Sequence, residues 1–290
     1  MRVLVLRALG LGDLLTAVPA LRGLRAAFPR SEITLAAPAW LAGVVDRVEA
    51  VDRLLPTEEL APIDFVEPDL AVNLHGRGPQ SLDRLRATAP GHVISHDERT
   101  WVPDRHEVLR WCDLLHRHGI RCDPHDFRLR PAGERTGAVV LHPGASTGAR
   151  RWPAERYAAV ARALGPDVVV TAGPGELDLA RRITPDPFRG SLSELLDLVA
   201  TARLVICGDT GVAHVATAYR TPSVLLFGPV SPRRWGPLRG PHRVLWHGRT
   251  GDTFAAEADP GLLEITVDEV LDATGDVLCE SESSGRATSV

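Results

Sequence analysis

Twice this chain runs an apolar stretch straight into a glycine-bracketed turn that carries an aspartate, and then into a helix of small residues. The first pass is Arg2 to Arg7, the turn Leu9-Gly10-Leu11-Gly12-Asp13, and Leu14 to Phe28. The second is Leu204 to Cys207, the turn Gly208-Asp209-Thr210-Gly211, and Val212 to Tyr219, with a further apolar run from Ser223 to Phe227. A short apolar run bounded by turn residues reads as a strand buried on both faces, and such strands belong to parallel sheets covered by helices. The first amides of the helix that follows lack internal partners, so each turn is a ready anion site.

The alternation continues through strands at Ile33 to Ala37, Asp69 to Leu74 and His92 to Ser95, with helices at Ser81 to Ala87 and Asp104 to His118. Pro131 to Gly137 (P-A-G-E-R-T-G) is a linker by composition. Beyond it the pattern restarts, with strands at Ala138 to Leu141, Val168 to Thr171 and His242 to Trp246, and helices at Pro153 to Leu164, Glu176 to Ile183, Leu192 to Ala200 and Asp268 to Leu278. This predicts an α/β chain of two Rossmann-like halves, 1–130 and 138–266, then a C-terminal helix at 267–278 and a polar, disordered tail at 279–290. Open α/β sheets bind ligands beyond the carboxyl ends of their strands. A cleft is therefore expected between the Gly10 to Asp13 turn and the turns near 142–150 and 208–211.

Composition narrows the partners. With 290 residues and 44% hydrophobic content the chain can bury a sizeable core, and a formal net charge of −4 speaks against nucleic acid. All 33 basic residues are arginine, so any role that lysine fills elsewhere must be filled otherwise here. No signal peptide is read at the N-terminus, and no apolar run reaches the ~18 residues that span a bilayer. A cytoplasmic protein is expected, with peripheral contact at the inner face of a membrane left open. Cys112, Cys122, Cys207 and Cys279 form no CxxC pair and read as reduced thiols, Cys207 as a small buried hydrophobe.

Four constellations carry chemistry. Asp13, by position, reads as the cap of a helix beginning at Leu14, or as a carboxylate at the floor of a cleft acting as general base. Gly10-Leu11-Gly12 is only part of a dinucleotide fingerprint, since Leu15 stands where the third glycine belongs. The loop in Leu141 to Pro153 (L-H-P-G-A-S-T-G-A-R-R-W-P) supplies the Ser146 and Thr147 hydroxyls and Arg150, which suit a diphosphate; His142 reads as a structural strand-end histidine. Two arginines ahead of a helix oppose its dipole, which a bound anion would explain. Glu176, after Gly173-Pro174-Gly175, is either a favourable helix-start acid or an acceptor for ribose hydroxyls. Asp209, Thr210, Gly211 and His214 line the second anion turn, with helix capping by Asp209 and simple burial of His214 as the plainer readings. Neither a G-x-S-x-G elbow nor a P-loop is present, and no His/Cys/Asp spacing suggests a metal site.

Four segments together resemble glycosyltransferase family 9, the heptosyltransferase-like enzymes: L-R-A-L-G-L-G-D-L-L-T-A-V-P-A-L-R at 6–22, D-L-A-V-N-L-H-G at 69–76, the 141–153 loop, and G-D-T-G-V-A-H-V-A-T-A with F-G-P-V-S-P-R-R-W-G-P at 227–237. The resemblance implies a GT-B fold, two Rossmann-like domains with an interdomain cleft, the first taking the acceptor and the second the nucleotide-sugar. It implies inverting, metal-independent transfer of a sugar, a heptose in many members, from a nucleotide-diphospho-sugar to an acceptor hydroxyl. No cofactor is implied; the donor is an ADP-sugar by preference, and the acceptor a carbohydrate, glycolipid or small glycoside. Asp13 matches the base, Ser146 and Arg150 the diphosphate loop, Glu176 the ribose acid, and Asp209, Thr210, Gly211 and His214 the strip lining nucleotide and sugar. Arg150 stands where the family typically has lysine. The competing expectations are a GT-B-like sugar-nucleotide epimerase and a non-catalytic nucleotide-sugar-binding protein.

Overall fold

The computed structural model describes residues 1–130 and 133–287, with side chains to Ser281. The chain divides into two compact units, Met1–Arg130 and Pro131–Val290. Residues 131 and 132 of the expected linker lie outside the described residues.

The first unit runs β1 (Arg2–Leu6), α1 (Leu11–Ala27), β2 (Glu32–Ala37), α2 (Ala42–Val48), β3 (Arg53–Pro56), β4 (Leu70–Asn73), α3 (Gln80–Arg86), β5 (His92–Ile94) and α4 (Glu107–Arg117). Its five strands pair in parallel in the order β3-β2-β1-β4-β5. Val3, Leu4, Val5 and Leu6 of β1 are all buried, as a strand covered on both faces requires. The order reverses between β1 and β4, so the loops after those two strands leave the sheet side by side.

The second unit runs β6 (Val139–His142), α5 (Ala154–Leu164), β7 (Val168–Val170), α6 (Leu177–Arg181), α7 (Leu192–Thr201), β8 (Leu204–Gly208), α8 (Gly211–Tyr219), β9 (Ser223–Leu226), α9 (Pro232–Trp235), β10 (His242–Leu245), α10 (Pro260–Leu263) and α11 (Val267–Ala287). The parallel order is β10-β9-β8-β6-β7, which reverses between β6 and β8. Leu141, Val170, Ile206 and Val224 from the sheet pack with Trp152, Tyr157 and Val160, and with Val270, Ala273 and Val277 of α11. The Trp152 indole N–H donates to the Ile265 carbonyl at 3.1 Å, which ties the start of α5 to the turn before α11.

Three expectations change. α1 begins at Leu11 with Gly10 at its N-cap, so Asp13 sits inside the first turn and is not the cap. The tail expected to be disordered from Cys279 continues α11 through Ala287; residues 288–290 lie outside the described residues. Its composition is polar, but Leu278 packs on the core and Glu280 bonds to Arg243 of β10, one turn of anchorage from which the helix continues. The thiols of Cys112 and Cys122, expected to be reduced, form a disulfide. The turn after α4 brings their Cα atoms to 5.2 Å, within bonding reach. Cys207 is a buried free thiol as expected, pushed up to about 12 by burial. Among the described residues no helix is long and apolar enough to cross a membrane.

Candidate functional site

In the second unit the loops after β6 and β8 meet at the point where strand order reverses. Arg150 arrives from the first, in a short 3-10 turn over Gly148–Arg150, and Asp209 from the second. Arg150 Nη1 lies 3.6 Å from Asp209 Oδ2, within ion-pair range but too long for a hydrogen bond. Both partners are under-satisfied: Arg150 Nε and Asp209 Oδ2 are buried without a hydrogen-bond partner. The Asp209 side chain is only 7% exposed, and burial pushes its carboxyl above the ordinary range while Arg150 pulls the other way. Buried polar atoms left unpaired at a sheet's carboxyl edge make this the candidate ligand site of the second unit. A Cβ at Gly208 would stand 3.1 Å from the Arg150 carbonyl, so this glycine lets the two loops close up.

Thr210 is the N-cap of α8 and makes no side-chain cap bond, so the amides at Gly211 and beyond begin the helix without one. Asp209 therefore does not cap α8. His214 lies half-buried within α8, its ring edge-on to Trp235 at 6.1 Å. In the loop after β6, Ser146 is exposed, whereas the Thr147 hydroxyl donates to the Thr253 carbonyl at 2.7 Å. Thr147, expected to face a diphosphate, thus spends its proton on anchoring the 247–259 segment. Arg151 folds back to donate to the Ala145 carbonyl at 2.9 Å and 3.1 Å, closing the loop on itself. Of the two arginines only Arg150 points its charge at the switch point.

Glu176 follows β7 and lies over the same edge. Its Oε2 accepts from the Gly173 amide at 2.8 Å. A Cβ at Gly144 would stand 2.1 Å from both carboxylate oxygens, so only glycine leaves room for this placement. An acid after the second strand of a Rossmann-like sheet is in the position that accepts from ribose hydroxyls. His142 is buried beneath, its Nδ1 2.9 Å from the Thr171 hydroxyl, and burial lowers its pKa. It is a structural strand-end histidine.

In the first unit Asp13 sits at the β1/β4 reversal with its side chain 32% exposed. Beneath it lies Arg7, 1% exposed, whose Nε donates to the Asp13 carbonyl at 3.0 Å and whose Nη2 reaches Asp13 Oδ1 at 3.3 Å. The same Nη2 lies 3.5 Å from Glu107 Oε1, and Glu107 Oε2 accepts from Arg110 Nε at 2.9 Å. The Trp111 ring packs 4.8 Å from the Arg7 guanidinium carbon. His75, in the loop after β4, has a buried Nδ1 with no hydrogen-bond partner. Its pKa is lowered, by burial first and by Arg7 second, with Asp13 opposing. Among the described residues no three His, Cys, Asp or Glu side chains gather as a metal-binding group.

The model of glycosyltransferase family 9 (heptosyltransferase) matches residues 85–258, more than half of the chain. The chain belongs to this family. Lipopolysaccharide heptosyltransferase 2 of Salmonella typhimurium is 24% identical over 354 aligned positions, covering 97% of this chain and 99% of that protein. Among solved structures, a glycosyl transferase family 9 protein from Veillonella parvula superposes with a TM-score of 0.79 at 22% identity, covering 96% of this chain and 97% of that one. The ADP-heptose LPS heptosyltransferase II of E. coli gives 0.75 at 21%, covering 97% and 100%. The fold is GT-B, and the protein is a glycosyltransferase, so the epimerase and binding-protein readings fall away.

Within this family 9 chain, the local sequence does not reveal the charged cluster at Asp13, made by Arg7 with Glu107 behind it and by His75. Arg7 reads as a charge closing a strand, and nothing local says that it turns inward. Glu107 lies a hundred positions away on α4. His75 carries a signal, in that it stands next to last in D-L-A-V-N-L-H-G, a segment that the family resemblance singles out.

Proposed function

We propose that this glycosyltransferase inverts its donor sugar and works without a metal, taking a heptose from ADP-heptose onto an acceptor hydroxyl. The acceptor oxygen attacks the anomeric carbon as the bond to the leaving diphosphate breaks. Asp13 receives the hydroxyl proton, held in place by Arg7 from below. The charge that grows on the diphosphate is met by Arg150, by Ser146 and by the uncapped amides at the start of α8. Arginine at position 150 keeps the charge of the family's usual lysine and adds a two-pronged donor geometry. Glu176 takes the ribose hydroxyls. Asp209 orients Arg150, and Thr210, Gly211 and His214 line the donor. Thr147 contributes by fixing the loop.

The observation that carries this reading is the Arg150–Asp209 pair astride the β6/β8 reversal, with Nε and Oδ2 both buried and unpartnered. The relatives' names favour ADP-heptose among nucleotide-sugars and a lipopolysaccharide among acceptors. The first 130 residues hold 17 Arg against 18 Asp and Glu, which suits a less phosphorylated envelope glycan better than a strongly phosphorylated lipid. The enzyme would act in the cytoplasm, at the membrane's inner face if the acceptor is a glycolipid. A thermal-shift screen of ADP-, GDP-, UDP- and dTDP-sugars tests the donor. At a hundred times its dissociation constant a true donor adds about 2.7 kcal/mol of stability. ADP-heptose should give the largest shift, and no shift with any of the four would overturn the donor-site assignment.

A further inference from the structure

In a parallel sheet every strand enters from the same edge, so residues preceding neighbouring strands are brought together whatever their distance in sequence. In the second unit that edge, opposite to the Arg150–Asp209 pair, is led in by arginines. Arg135 precedes β6, Arg203 precedes β8, Arg220 precedes β9 and Arg239 precedes β10, and these are four adjacent strands. Each arginine lies within four residues of its strand's start. The fifth strand, β7, is led in by Asp167, which does not line the space the others share. That space is an open pocket of about 890 Å³, lined by all four arginines together with Glu280 and Ser281 of α11.

The charge balance there is one-sided. Glu280 is the one carboxylate among the lining residues, and it is already bonded to Arg243. Among the described residues no carboxylate pairs with Arg135, Arg220 or Arg239. The Arg135 guanidinium is tethered, with donations to the Ala202 carbonyl at 2.9 Å and the Arg220 carbonyl at 3.2 Å. Those bonds fix its direction and leave its charge uncompensated. The field is felt nearby. His242, which opens β10, has its imidazole pushed down to about 4 by burial and then by the Arg220 charge.

The geometry points to a second anion site at the amino edge of this sheet, one that takes a phosphoryl-bearing ligand, separate from the donor's diphosphate. Converging guanidinium groups recognise phosphate by charge-assisted, paired hydrogen bonds. The volume falls within the range of small-ligand sites, so a phosphorylated small molecule or a phospholipid headgroup fits, not a bare counter-ion alone. Because the site faces away from the transfer chemistry, it serves recruitment or regulation, and its substitution leaves the chemical step intact.

Isothermal titration with inorganic pyrophosphate and co-sedimentation with vesicles test it on the full chain, comparing wild type, Arg220→Gln, Arg239→Gln and Arg150→Ala. The vesicles are phosphatidylglycerol in phosphatidylcholine, against phosphatidylcholine alone. Arg150→Ala removes the donor-site contribution and should leave a pyrophosphate-binding or anionic-vesicle-binding component. Arg220→Gln and Arg239→Gln should each weaken that component by about fivefold or more, as loss of roughly 1 kcal/mol from an exposed charge contact gives. Both arginines are exposed, so neither substitution should alter the melting temperature of the folded chain. Binding of pyrophosphate alone assigns the site to a free phosphate compound, and binding of anionic vesicles alone assigns it to a headgroup. The inference is overturned if Arg150→Ala abolishes all binding, or if neither Arg220→Gln nor Arg239→Gln weakens it. Turnover with the donor intact while this component is absent would sink the second site and spare the transferase reading.

Discussion

Gly144→Ala should act as a long-range deletion of the Glu176 carboxylate. The new Cβ would stand 2.1 Å from both carboxylate oxygens and 2.2 Å from the carbon between them, far inside any real contact. Glu176 is half-buried at the end of a flexible side chain, so the carboxylate swings away and the loop holds. The folding cost is the 2.8 Å bond from the Gly173 amide, a partly solvated charged hydrogen bond worth about 1 kcal/mol. The functional cost is larger. Two ribose hydroxyls donating to a carboxylate are together worth about 2–3 kcal/mol, so donor KM should rise roughly 30- to 150-fold. The chemical step should change little, because the ribose lies away from the bond that breaks. Steady-state kinetics with varied donor, on Gly144→Ala, Glu176→Ala and the double variant, read this out. In the Glu176→Ala background there is no carboxylate to displace, and Gly144→Ala should add almost nothing. Equal effects of Gly144→Ala in both backgrounds, or an unchanged donor KM, would refute the reasoning that joins these two residues to the ribose.

Three further outcomes are expected. Asp13→Asn should lower kcat by at least about 100-fold while donor affinity measured by titration stays within a factor of about two, the mark of a base that acts only as the bond forms. Asp209→Asn should weaken donor binding yet raise the melting temperature near neutral pH. Burial lifts the Asp209 carboxyl in the folded state, so its contribution to stability is full below the unfolded value and is lost as pH climbs through the folded one. The gain should shrink toward pH 4, and a variant equally destabilised at both pH values would contradict the sign. Reducing the Cys112–Cys122 bridge, or Cys112→Ser with Cys122→Ser, should cost about 2.5–3 kcal/mol in denaturant unfolding, from a closed loop with a sequence separation of 10.

The fold is legible in the sequence where one period of pattern decides the structure. Val3 to Leu6 and Leu204 to Cys207 are apolar at every position because both faces are covered, and that alone implies parallel sheets. β3 leaves little trace in the pattern because Arg53–Pro56 is a four-residue edge strand with a proline at its end. α9 and α10 are too short for a periodic pattern, and their one local mark is the cap-and-proline start, Ser231 before Pro232 and Asp259 before Pro260. At the site, glycines, acids and Arg150 were legible because each sits in a turn after a buried strand. What was not legible is who partners whom. Arg7 bonds across to Asp13 and Glu107, Thr147 donates to Thr253, and Cys112 finds Cys122, and none of these pairings leaves a mark in local composition. Asp13 looked like a cap because helix starts are read to within a few residues, and Gly10 took the position instead.

The lacing of the Arg150 loop to the 247–259 segment bears on how the protein comes off the ribosome. Gly148 sits so close to that segment that a Cβ would stand 1.6 Å from the Ala256 carbonyl, Ala149 donates to the Ala255 carbonyl at 3.0 Å, and Asp259 donates back to Ala149 at 3.1 Å. The loop that carries Arg150 therefore has no template until more than a hundred later residues have been synthesised. The first unit can complete its sheet once residue 130 has left the exit tunnel. The nascent chain thus fixes Asp13 early and the Arg150 loop last, so that on the proposed reading an unfinished chain holds no donor.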